Sequence, residues 1–203
     1  MRLPKMIMLI SVIAAMAGCS TSSVTVGYVP TGVAPGAGAK PLVRVADFVD
    51  ERGGDPQRLG AIRNGFGGEM KRLELSESAA VTVRKAFASG LSARGLLDEH
   101  PDATYTLSGR ILKFDCSQYV RREAHATLEV TLKDTATGTV VMDRTVVKDE
   151  VQGGNVFDTG IFASPDDLRA VAADLLRQVI NDALDDPAFR EAVAGMPKPH
   201  SVP

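Results

Sequence analysis

Tryptophan is absent from the 203 residues, and aromatics make up only 5% of the chain. With hydrophobic residues at 44%, the core is expected to be aliphatic. Cysteine occurs twice, as Cys19 and Cys116, so a disulfide framework is excluded once Cys19 is assigned elsewhere. No apolar run reaches the ~20 residues that cross a bilayer as a helix. Neither sign of charge dominates, with 23 basic against 25 acidic residues. No clustered basic surface is evident, which argues against a nucleic-acid partner. There is no G-x-S-x-G and no credible Ser/His/Asp set, so hydrolase chemistry has little support. His100, His125 and His200 fall in a loop, on a strand's polar face and in the tail, with no helical pairing and no neighbouring cysteine. A zinc site is therefore not expected, nor any other metal or cofactor. No internal repeat is visible.

What is present begins with Arg2 and Lys5, a short positive start. Residues 6–16 follow as an apolar run broken only by Ser11, and then Met16-Ala17-Gly18-Cys19. Charged start, short apolar stretch and small residues before a cut define an export signal. The segment resembles a lipoprotein signal peptide, in which an apolar residue and two small ones precede a cysteine. That resemblance implies cleavage between Gly18 and Cys19 and lipid on the Cys19 sulfur. Several acyl chains together give stable anchoring where one does not. An ordinary secretory signal is the rival, since Ala15-Met16-Ala17 is also an A-x-A site. Ser20 stands where Asp commonly retains such proteins at the inner membrane, which points to the periplasmic face of the outer membrane. Processing removes two basic residues and no acid, leaving about −4.

Residues 19–41, rich in Ser, Thr, Gly, Pro and Ala, read as the lipidated cysteine and a flexible tether. Twenty such residues would span roughly 25 Å. Val24 to Val29 alternates and is open to pairing as an edge strand. Residues 42–194 form one domain and 195–203 a disordered tail. Strands are predicted over 42–49, 59–63 and 69–75, then a helix capped by Ser76 and ended by Gly95. Its buried stripe is Ala79, Val83, Ala86, Phe87, Gly90 and Leu91. Three antiparallel strands follow, with a bulge near Lys113 and a turn at 134–138. The last helix starts at Ser164-Pro165 with Asp166 and Asp167 in its first turn. The class is α+β: a largely antiparallel sheet with two amphipathic helices on one face.

Val45-Ala46-Asp47-Phe48-Val49-Asp50-Glu51-Arg52 ends in a D-x-R after the first strand. Leu59-Gly60, Arg63-Asn64-Gly65-Phe66-Gly67, Ala93-Arg94-Gly95-Leu96 and Val151-Gln152-Gly153 follow in order. This series resembles the YajG-like family of envelope lipoproteins over nearly the whole body. The resemblance implies a small α+β envelope lipoprotein and implies no enzymatic activity.

The acidic cluster Asp47, Asp50, Glu51 and Asp55 lacks EF-hand spacing. It reads as a solvated loop whose turn is ordered by Asp50 and Arg52. Gly65-Phe66-Gly67-Gly68 lacks the third glycine of a dinucleotide fingerprint, Met70 standing there, and reads as a tight turn. Cys116 reads as a buried strand thiol, a redox or intermolecular role being the alternative. The loop 151–163 carries Phe157, Ile161 and Phe162 among glycines. They are candidates for contact with an envelope protein partner, or for folding back on the sheet. The expected function is a non-enzymatic, membrane-anchored accessory module. The alternative is a binder of a small apolar ligand or lipid under the helices.

Overall fold

A computed structural model of the protein describes residues 20–36, 39–153 and 163–194. Three long antiparallel strands form its middle: β5 (Tyr105–Gln118), β6 (Arg122–Asp134) and β7 (Val140–Gln152). On β6, Ala124, Ala126, Leu128, Val130 and Leu132 point inward and are buried, the period of two that a half-covered strand requires. The register of β5 slips between Ile111 and Lys113, at the expected bulge. The Asp134 carboxylate accepts from the Thr137 amide and hydroxyl and so fixes the β6–β7 turn. Those same bonds hold its acidity above that of a free aspartate. On the outer strand β7 only Met142 is buried. Among the described residues no further strand pairs with β7, and charged residues such as Arg144 and Lys148 on it blunt strand-to-strand aggregation.

Strands β2 (Val43–Asp50) and β3 (Arg58–Arg63) share the other side of β5, both parallel to it. The first runs beside Tyr105 to Ile111 and the second beside Cys116 to Gln118. At Gly60 a Cβ would lie 1.8 Å from the Cys116 carbonyl oxygen, so no side chain fits there. Strand β4 (Glu69–Leu75) returns antiparallel on β3.

The N-terminal segment departs from expectation. Instead of a flexible tether, Ser20–Val24 forms β1, parallel to β4 with Ser20 opposite Lys71 and Val24 opposite Leu75. Val24, Val26 and Tyr28 are buried along the arm that continues from it. The cause is the alternation of those three residues, which gives the arm one apolar face beside an otherwise open edge. Among the described residues the sheet has seven strands in the order β1-β4-β3-β5-β6-β7, with β2 beside β5.

Helix α1 (Ala79–Ala93) is capped by Ser78, not Ser76. The Ser76 amide is taken by the Val24 carbonyl, which holds that residue in line with β4. The buried stripe is the predicted one with Thr82 added. Phe87 on α1 stacks on Phe48 of β2, ring centroids 5.1 Å apart. Helix α2 (Pro165–Leu184) starts at Ser164 as predicted, and a short α3 (Pro187–Val193) buries Phe189. The class is therefore α+β, with two main helices on a sheet whose long pairings are antiparallel.

Candidate functional site

The D-x-R motif closes a gap in the sheet. Strands β2 and β3 leave the stretch of β5 between Ile111 and Cys116 without a strand on that side. The Arg52 guanidinium fills it, donating 2.8 Å bonds to the carbonyls of Phe114 and Arg58 and a 3.0 Å bond to that of Pro56. Its fork also grips both oxygens of Asp50 at 2.8 Å. That hydrogen-bonded guanidinium is the main reason the Asp50 pKa lies below the ordinary carboxylate value. Asp47 by contrast is almost fully exposed, 3.7 Å from Arg84.

A second buried arginine, Arg94, ties the N-terminal arm to the helices. It donates to the Tyr28 hydroxyl at 3.3 Å and the Gly90 carbonyl at 3.1 Å. Its other nitrogen donates to Asn181 and Asp185, each at 3.2 Å. Tyr28 itself donates to Asn181 at 2.8 Å. Beside this knot lies an open groove of about 950 Å³ between the arm, the end of α2 and α3. Val33, Ala34, Leu96, Phe189 and Val193 give it apolar walls, and Arg190 and Asp185 stand along it.

The two ends of the sheet differ in chemistry. One end carries the 98–104 loop and the 134–139 turn, with Asp98, Glu99, Asp102 and Asp134. The other end gathers the start of β1, the turn 64–68, the turn 119–121 and the close of β7. Here Phe66 is wholly exposed, and Tyr119, Val120 and Val151 are about half exposed. The Asn64 carboxamide oxygen accepts from the amides of Phe66 and Gly68 at 3.0 and 2.9 Å, and Gly67 takes φ +83, which a side chain rarely adopts. Phe66 is thus held outward by a built turn. The Tyr119 hydroxyl donates 2.6 Å to the Gly65 carbonyl and couples the two turns. Sequence reasoning read Gly65 to Gly68 only as a turn. The signal it passed over is one large apolar residue at the tip of a glycine-rich turn.

The other residues singled out in the sequence are dispersed. Gly18, Cys19, His200 and the loop residues Phe157, Ile161 and Phe162 lie outside the described residues. The ends of that loop, Gly153 and Ala163, sit at the same end of the sheet as Phe66, where the Lys71 ammonium donates to the Ala163 carbonyl. Cys116 is buried on β5, and burial pushes its thiol pKa up to about 12. His125 pairs with Asp149 on the outer face of β6 and β7. Among the described residues no group of three or more His, Cys, Asp or Glu side chains is placed to hold a metal ion. None of the described helices is long and apolar enough to cross a membrane.

No family model and no curated protein matches the chain. Solved structures do. A protein from Xanthomonas campestris assigned to the family model DUF330 is similar, with 15% identity, 86% of this chain and 96% of that chain covered, and a TM-score of 0.59. The crystal structure of an uncharacterized protein is similar at 12% identity, 86% and 99% coverage, and a TM-score of 0.54. A looser likeness is to a lipoprotein from Neisseria meningitidis, at 12% identity, 70% and 99% coverage, and a TM-score of 0.28. The first two share the fold with this chain. The YajG-like resemblance rests on the sequence motifs alone.

Proposed function

We propose that the chain is a non-enzymatic accessory module of the cell envelope, anchored by lipid on Cys19 at the periplasmic face of the outer membrane. One observation carries this reading: the positive start Arg2 and Lys5, the apolar run 6–16 and Met16-Ala17-Gly18-Cys19 stand in the order of a lipoprotein export signal. The YajG-like motif series supports the same class, and Ser20 in place of Asp supports the outer membrane. Phe157, Ile161 and Phe162 remain the proposed contact for an envelope protein partner.

The test is Cys19→Ser, carried on an ordinary secretory signal in place of residues 1–18. The native protein is expected in the membrane fraction with a mature mass that includes acyl chains. The variant is expected wholly in the soluble periplasmic fraction. Retention of the variant in the membrane, or an unmodified Cys19 thiol in the native protein, contradicts the anchor.

A second reading, a binder of a small apolar or amphipathic ligand, has one observation in its favour. That is the groove beside Arg94, apolar on its walls and charged along its mouth. The space under the helices is filled by Leu175, Leu176, Val179 and their neighbours, so such a ligand would sit at the end of the sheet and not beneath α1 and α2.

A further inference from the structure

We propose that the end of the sheet bearing Phe66, Tyr119, Val120 and Val151 is seated on the bilayer that receives the Cys19 lipid; the inference rests on the anchor reading above. Strand direction is the first argument. β1 runs away from this end, and Ser20 sits level with Lys71. From Lys71, β4 reaches back toward Gly68 at about 3.3 Å per residue, and the turn extends beyond it. Phe66 therefore projects roughly 10 Å past Ser20 along the strand axis, on the side that β1 runs away from.

Strand order is the second argument. The 64–68 turn joins the two strands next to β1, and the 119–121 turn joins the two after them. Neighbouring strands lie about 4.8 Å apart, so lipid attachment and rim fall within ~25 Å of one another. The third is the absence of a leash. Pairing of Ser20–Val24 with β4 removes the slack that would let this end turn away from the membrane.

Side-chain chemistry fits the depth each residue would reach. Phe66, furthest out, is purely apolar and suits the boundary of the acyl chains. Tyr119 carries a hydroxyl and suits the headgroup level, as does Arg121, whose side chain is 63% exposed and paired with Glu123. The opposite end presents Asp98, Glu99, Asp102 and Asp134, which belong in water. A bilayer is favoured over a protein partner because the anchor brings the membrane to this end in every case.

The chain has no tryptophan, so a single one is a clean reporter. Phe66→Trp and Val140→Trp, the latter at the opposite end, are purified as full lipidated chains and placed in vesicles of phosphatidylethanolamine and phosphatidylglycerol. For Phe66→Trp the expected emission is blue-shifted and quenched by lipids brominated on the acyl chain. For Val140→Trp it is solvent-like, quenched by aqueous acrylamide and untouched by the brominated chains. Solvent-like emission from Phe66→Trp with acylated Cys19 confirmed by mass overturns the seating alone. A blue shift without bromolipid quenching, as contact between protein copies gives, overturns it too. A bare Cys19 thiol overturns the anchor and the seating together.

Discussion

Arg94→Ala is expected to lower stability by about 3 kcal/mol, and the loss should fall first on the N-terminal arm. The Tyr28 hydroxyl and the Gly90 carbonyl lose the Arg94 donor in that variant, while the Asn181 side chain keeps the Tyr28 hydroxyl and the Asp185 carboxylate keeps Arg190. Only 9% of the Arg94 side chain is exposed, so water reaches the Tyr28 and Gly90 acceptors poorly, whereas the Asp185 side chain is 44% exposed and is rehydrated. An unpaired buried polar group costs about 1–3 kcal/mol, more beside a charge. For a domain of this length 3 kcal/mol corresponds to a fall in Tm of roughly 10 °C. Arg94→Met keeps most of the buried stem and separates packing from hydrogen bonding; it should recover only a small part of the loss. Tyr28→Phe removes the 2.8 Å bond to Asn181 and should cost about 1 kcal/mol. An Arg94→Ala protein as stable as the native one would show that the arm is not held by this knot.

Arg52→Ala is expected to cost about 3–5 kcal/mol at neutral pH and to change how stability depends on acidity. The guanidinium satisfies three carbonyls and both oxygens of Asp50, and it is the piece that spans the break between β2 and β3. Removing it strands a carboxylate only 16% exposed and opens that seam. Asp50 titrates below its ordinary pKa in the folded state, because the Arg52 bond favours the ionised form. A depressed folded pKa contributes stability above the unfolded value of about 3.9 and loses it as pH falls through the folded value. The native protein should therefore lose stability more steeply than Arg52→Ala below about pH 4, and the gap between them should narrow there. Arg52→Lys should restore part of the neutral-pH loss, since an ammonium supplies charge but no fork. Denaturant midpoints between pH 2.5 and 7 read all of this. Parallel curves for native and Arg52→Ala would exclude the assigned pairing.

Much of the architecture was legible in the chain. The helix stripes follow a period of 3.6, Ser164-Pro165-Asp166-Asp167 marks its helix start without ambiguity, and β6 alternates over its length. The misread cap shows where local signals stop. Ser76 and Ser78 are equally good caps in isolation, and the choice is made by the Val24 carbonyl more than fifty residues upstream. The arm was half legible: Val24, Val26 and Tyr28 have the right parity, but Ser20 to Ser23 carry no apolar residue. Nothing local to that stretch announces a parallel partner in β4. Arg94 looks in sequence like any basic residue closing a helix, and its burial comes from Tyr28 and α2 folding over it. The exposed end is the least legible feature. Phe66, Tyr119 and Val151 are scattered along the sequence, and only the strand order brings them to one edge.

These corrections change the mechanical picture of the molecule. A tether of twenty residues would let the domain roam, with an end-to-end distance of roughly 25 Å. With the proposed anchor on Cys19, an arm paired over Ser20–Val24 would fix both the height and the facing of the sheet relative to it. On the proposed seating, the acidic end and the groove beside Arg94 would point away from the membrane.

The most direct test is amide hydrogen exchange on the full lipidated protein, read over residues 20–28 against β4. Slow exchange through Val24, comparable with that of Leu73 and Leu75, is what a paired arm predicts. Exchange of the whole 20–28 stretch at the rate of an unstructured peptide, while β4 stays protected, would return the segment to a free tether and contradict the account.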